Sequence, residues 1–371
     1  MIDLNDRFSR LIIVYLLWLA SSIFSASLFE VYFYNLGLSP QEIFLADSLW
    51  FAAGIMILPF LKTFRSRRFM LAGIAVAILS VLLLYLYPIP FAAFPFRLLA
   101  GIPNILFWLP FNILFYEFRK GDHAALGALY YSLSPMLSLF APGLAGIIAT
   151  SAGFPALYLF TMAILGLAFI LTMRFVEDKE YSVDFRQCVK SISGLRTLIF
   201  MEGFAAAVIV QATLEVMLLL FIDKPAEYGG FISLVTVFAI LSTFITAKLS
   251  DKIKKRRHFL LPVALLFGLS AVLASQAPDI SAFFIGFGLV VFFSRIFFPL
   301  PLALVVDNTK SLPESMAGRE FFLNLGRFSG AILGFAVFLY SDIRTVLLLQ
   351  GLVLLIYVPI FENRKQKLVF H

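Results

Sequence analysis

Apolar runs of about twenty residues recur along the whole chain, broken only by short polar stretches, and a run of that length is what an α-helix needs to cross a hydrocarbon layer about 30 Å thick. Such runs can be placed at Leu11–Phe33, Gln41–Leu61, Phe69–Tyr87, Phe91–Tyr116, Ala124–Thr150 and Phe154–Phe175. After a polar interval they resume at Leu198–Ile222, Tyr228–Ala247, His258–Ser275, Ile280–Val306, Gly318–Tyr340 and Ile343–Phe361. The expected fold is therefore an all-α integral membrane protein of twelve transmembrane helices. A soluble domain is excluded by composition, because 61% of the 371 residues are hydrophobic and 14% charged, whereas soluble chains are about a quarter charged. The opening sequence MIDLNDRFSR leads straight into the first run, which is too long for a signal-peptide core.

The net charge of +7 would point to nucleic acid in a soluble protein, but the basic residues sit in short loops beside apolar runs and report membrane orientation instead. Lys224 and Arg344 fall on one face and Arg97, Arg295 and Arg327 lie inside runs, while the rest of the 29 Lys and Arg residues gather on the face carrying both termini. That face is expected to be cytoplasmic, and the membrane the plasma membrane. Cys188 is the one cysteine, and His123, His258 and His371 show no metal-ligand spacing. No cofactor, metal site or catalytic residue is expected. Nucleotide-binding loops and the motifs of membrane-embedded hydrolases are absent from the sequence, which points away from a pump and away from an enzyme.

The longest polar stretch, centred on EDKEYSVDFRQ, divides the runs six and six. The halves match each other: SLFEV before Pro40 and Glu42 corresponds to ATLEV before Pro225 and Glu227, and GALYYS from Gly127 corresponds to GREFFL from Gly318. A parallel repeat of this kind predicts bundles over residues 1–176 and 198–371, joined by a cytoplasmic linker at 177–197.

With these features the chain resembles the major facilitator superfamily over essentially its whole length. The most specific stretch is Ala247-Lys-Leu-Ser-Asp251-Lys252-Ile-Lys-Lys-Arg256-Arg257, similar to the family's G-x-L-A-D-R-x-G-R-R loop. The resemblance implies two pseudo-symmetric six-helix bundles, and a cytoplasmic gate in which Asp251, Lys252 and Arg256 latch onto neighbouring helix ends, with Glu117, Glu314 and Glu320 as candidate partners. The first-half counterpart, Leu61-Lys-Thr-Phe-Arg65-Ser-Arg-Arg68, keeps the positive charge and lacks the Asp. Ala141-Pro142-Gly143-Leu-Ala-Gly146 weakly resembles the fifth-helix motif of proton-coupled drug exporters, although close helix packing accounts for it equally well.

Ionisable residues inside membrane runs are costly and mark functional positions by default. Counting about 1.5 Å per residue puts Arg327 roughly 13 Å and Arg295 roughly 17 Å from the cytoplasmic ends of their runs, near the midplane where carriers hold solute. Asn112, Gln211 and Asn324 add hydrogen-bonding capacity, and Trp18 and Trp108 apolar walls. Glu30 and Arg97 fall near the outer ends as a candidate gate pair. Glu215 matches Glu30 in the repeat, has no obvious arginine at its depth and is a candidate proton carrier. Two midplane arginines call for an anionic partner, which is an organic anion or zwitterion as solute, or else helix carbonyls, Asp307 or Glu202. The expected activity is secondary transport by alternating access, by a chain that suffices as a monomer. The rivals are amphipathic drug export or lipid flipping and a non-transporting membrane sensor or scaffold.

Overall fold

The computed structural model describes residues 6–118, 132–250 and 257–363, with the backbone alone for 244–250, 257–259 and 357–363. Among the described residues nine helices are long and apolar enough to span a membrane, and two shorter apolar helices accompany them. In chain order they are α1 (Arg7–Asn35), α2 (Pro40–Phe60), α3 (Ser66–Leu86), α4 (Pro90–Phe118), α5 (Ser132–Phe175) and α6 (Arg196–Leu218). Then follow α7 (Pro225–Ser250), α8 (Arg257–Ser275), α9 (Ile280–Asp307), α10 (Leu312–Tyr340) and α11 (Ile343–Asn363). The only strands among the described residues are β1 (Thr63–Arg65) and β2 (Glu180–Ser182), paired antiparallel.

Local chemistry sets the boundaries. Asp6 accepts hydrogen bonds from the backbone N–H groups of Phe8 and Ser9 and starts α1. Ser39 and Glu42 form a capping box that starts α2 beside Pro40. The 44 residues of α5 would make a straight rod about 66 Å long, more than twice a bilayer core. Gly153 breaks it with φ 82°, a conformation that a side chain resists, and Pro155 follows in the next helical turn. The break falls where two separate membrane runs meet in the sequence.

The two halves of the chain touch along α2 with α10 and α5 with α7. Gly54 faces the Asn324 side chain, and the Phe44 and Phe338 rings meet edge-on at 6.2 Å. At the other contact the Gly143 N–H donates to Ser233 Oγ at 2.9 Å, and Gly146 lies against the Pro225 carbonyl with no room for a Cβ. The small residues of the exporter-like stretch are thus used in helix packing. α6 is underwound, with π-helical turns at Glu202–Ala207 and Ile209–Thr213, a rare conformation that concentrates at functional sites.

Candidate functional site

Between the halves lies a cavity of about 560 Å³, lined from both sides of the linker. α1 contributes Trp18 and a row of serines that includes Ser21, Ser22 and Ser25, α4 contributes Trp108 and Asn112, and the second half contributes Gln211, Arg295 and Arg327. The structure therefore brings four of the five solute-site candidates to one space. Asn324 stands beside it, buried, accepting from Arg327 Nη1 at 3.3 Å and donating to the Glu320 carbonyl at 2.8 Å. Arg295 and Arg327 occupy the middles of α9 and α10. The walls are aromatic: Trp18 stacks on Phe107 at 4.2 Å and Tyr15 on Phe111 at 4.5 Å.

Towards one end of the cavity, Arg97 joins Glu30 by a hydrogen bond from Nη2 and lies 2.6 Å from Asp47 Oδ1. All three are buried, and the guanidinium also rests over the rings of Phe29 and Phe33 at 5.2 and 5.5 Å. The Glu30–Arg97 pair agrees with the sequence expectation; Asp47 extends it. Glu215 changes it more. Its carboxyl comes within hydrogen-bonding reach of Glu30, with Arg97 close enough to attract it, so the reading that it lacks an arginine at its depth is corrected. The arginine is there, supplied by the other half of the chain. The two glutamates equated by the repeat stand side by side, across the boundary between halves.

A second cluster lies wholly after the linker. Arg319 Nη2 donates to Glu202 Oε1 at 2.9 Å and Nη1 to Glu320 Oε1 at 3.0 Å, with all three side chains buried. Arg327 is close enough to attract Glu202. α10 begins at Leu312, nearly two turns before the expected Gly318, which puts Arg319 and Glu320 in the body of the helix rather than at its first turn. The cluster corrects one expectation, since Arg319 belongs to the cavity rather than to the basic face. Glu202, one of the partners left open for the midplane arginines, stands near Arg327. Glu202 Oε2 and Gln211 Oε1 have no hydrogen-bond partner among the described residues, and buried acceptors left unpaired are costly.

The expected gate divides differently. Asp251, Lys252 and Arg256 lie outside the described residues. Glu117 accepts from Lys179 Nζ and from the Tyr181 hydroxyl, both at 2.7 Å, so its described partners are in the linker. Glu320 is held by Arg319 inside the cavity.

The family model of the Major Facilitator Superfamily matches residues 195–367. Solved structures extend the likeness to the fold of nearly the whole chain. The human organic anion transporter MFSD10 (TETRAN) is 13% identical, with a TM-score of 0.69 over 95% of this chain and 98% of its own. A POT family transporter in complex with 5-aminolevulinic acid is 13% identical, with a TM-score of 0.72 over 98% and 96%. The nucleoside transporter NupG is 12% identical, with a TM-score of 0.65 over 96% and 98%. Among curated proteins none matches the sequence.

Proposed function

Starting from a chain that belongs to the major facilitator superfamily, we propose that it is a secondary transporter of a small zwitterionic or anionic organic solute, working by alternating access. The observation that carries this reading is the cavity itself, where Arg295 and Arg327 share one space with the unpartnered acceptors of Glu202 and Gln211. Arginine pairs bidentately with carboxylate or phosphate, and an unpaired carboxylate or amide oxygen is satisfied by an N–H or O–H donor. A solute that carries an acid and an ammonium group meets both demands and also matches the charge of the Glu202 carboxylate, which favours a zwitterion over a plain anion. Asn112 and Asn324 complete the polar lining, and Trp18 and Trp108 cover the apolar part.

The architecture that serves this cycle has twelve spans in two six-helix bundles, over 1–176 and 198–371, with the linker and both termini on the cytoplasmic side of the plasma membrane. Nine long apolar helices, two shorter ones and the division of α5 at Gly153 support that count. One chain encloses the cavity, so a monomer suffices. The cluster of Glu30, Asp47, Arg97 and Glu215 joins the halves at the outer end. It must separate when that end opens, and Glu215 is the group to exchange a proton there. The loop bearing Asp251, Lys252 and Arg256 is the gate at the opposite end.

Uptake by proteoliposomes containing the purified protein tests the proposal. Amino acids or organic acids should accumulate in the wild type and not in Arg295→Ala or Arg327→Ala. Uptake driven by an inward proton gradient should fall in Glu215→Gln, while exchange without a gradient continues. Transport of lipophilic cations or lipids that ignores both arginines would replace this reading with drug export or lipid flipping.

A further inference from the structure

The basic stretch Arg65-Ser-Arg-Arg68 carries no carboxylate of its own, and the structure shows where one comes from. Asp178, in the linker, lies 3.6 Å from Arg65, 3.9 Å from Arg67 and 3.4 Å from Arg68, with its side chain 14% exposed. The linker is also zipped onto the same stretch by its backbone. β2 pairs with β1, placing Thr63, Phe64 and Arg65 opposite Ser182, Tyr181 and Glu180. The Ser66 N–H donates to the Lys179 carbonyl at 2.8 Å, the Ser66 hydroxyl to the Glu177 carbonyl at 2.6 Å, and the Val183 N–H to the Lys62 carbonyl at 2.8 Å. Glu117 of α4 adds the bonds to Lys179 and Tyr181.

Two residues later the linker changes sides. Asp184 caps a short helix, Phe185–Ser191, whose Cys188 carbonyl lies against Gly318 of α10 with no room for a Cβ between them. Phe185 meets Phe321 of α10 edge-on at 4.9 Å. The attachments differ in kind. The strand end is held by ion pairs and directed hydrogen bonds to the first half, whereas the helix end is held against the second half by a close backbone approach and a ring contact.

We propose that residues 177–192 form a strap with two independent attachments, the strand end fixed to the first half through Asp178 and the helix end a clasp on α10 that releases when the halves part on this side. The motion belongs to the alternating-access reading above; the attachments are tested without it. In the clasped state burial, with Glu314 and Asp184 nearby, pushes the Cys188 thiol up to about 12. Since the thiolate is the reacting species, maleimide modification of this single cysteine reports release.

The measurement is the rate of N-ethylmaleimide addition to Cys188 in the full-length, detergent-purified protein without solute. It is paired with the order of tryptic cuts after Lys179, in the strand end, and after Arg186, in the helix end. The wild type should react slowly at Cys188 and be cut after Arg186 before Lys179. Gly318→Leu, which wedges the helix away, should speed addition by about tenfold or more. Phe321→Ala removes the ring contact without adding bulk; it should speed addition in the same sense and decides the matter if Gly318→Leu does not fold. Asp178→Asn should bring forward the cut after Lys179 and leave the Cys188 rate near that of the wild type. An unchanged rate in both α10 variants overturns the clasp. Release of Cys188 by Asp178→Asn as fast as by Phe321→Ala overturns the independence of the two ends. Because no solute is involved, failure of uptake in proteoliposomes would refute the carrier reading and leave these outcomes intact.

Discussion

Two buried charge clusters face the same cavity, and they differ in where their members come from. Glu30, Asp47 and Arg97 precede the linker and Glu215 follows it, so the first cluster ties the halves together. Glu202, Arg319 and Glu320 all follow the linker, so the second braces α6 against α10 within one half. Similar chemistry thus has two consequences. Under the proposed alternating-access cycle, a cluster that crosses the boundary between halves is made and broken in each turn, whereas one confined to a single half persists and positions its neighbour, Arg327.

The contrast can be broken from either side. Arg97→Ala removes the cation shared by buried carboxyls on both sides of the boundary. It should have the largest effect, a loss of about 3–5 kcal/mol in unfolding experiments on the purified protein. Arg319→Ala also leaves buried carboxylates, but Arg327 remains near Glu202, and the loss should lie towards the lower end, about 3 kcal/mol. Glu215→Gln keeps the shape and removes the ionisable group. It should change stability by about 1 kcal/mol and should show its effect in the proton dependence of uptake. Asp178→Asn, whose three arginine partners are exposed, should cost less than about 1 kcal/mol. If Arg319→Ala abolished gradient-driven uptake while Arg97→Ala did not, the assignment of moving and static clusters would be reversed.

Much of the fold is legible in the sequence because the physics is local. Apolar runs of bilayer length give the helices, and the break between Thr150 and Phe154 is visible as Gly153 and Pro155. Glu30 and Arg97 are legible as a pair because both are ionisable groups at one depth in apolar runs. Asp47 obeys the same rule, standing in LADSLWF, and a count of every charge inside the runs would have found it. Arg319 and Glu320 are harder: they lie at the edge of an apolar run, and only the early start of α10 draws them into the cavity. The partnership of Glu215 with Arg97 depends on how the halves meet, and that of Asp178 with Arg65, Arg67 and Arg68 on how the linker folds back. Neither is encoded in any one segment.

Thermal stabilisation of the purified protein by solutes, compared between wild type and Arg327→Ala, tests the central claim most directly, since a ligand that binds the folded state raises its apparent stability by mass action. The account predicts that amino acids, and more weakly simple organic acids, raise the melting temperature of the wild type and not of the variant, while lipophilic cations shift neither. Equal responses in both proteins, or a shift by lipophilic cations alone, would contradict it.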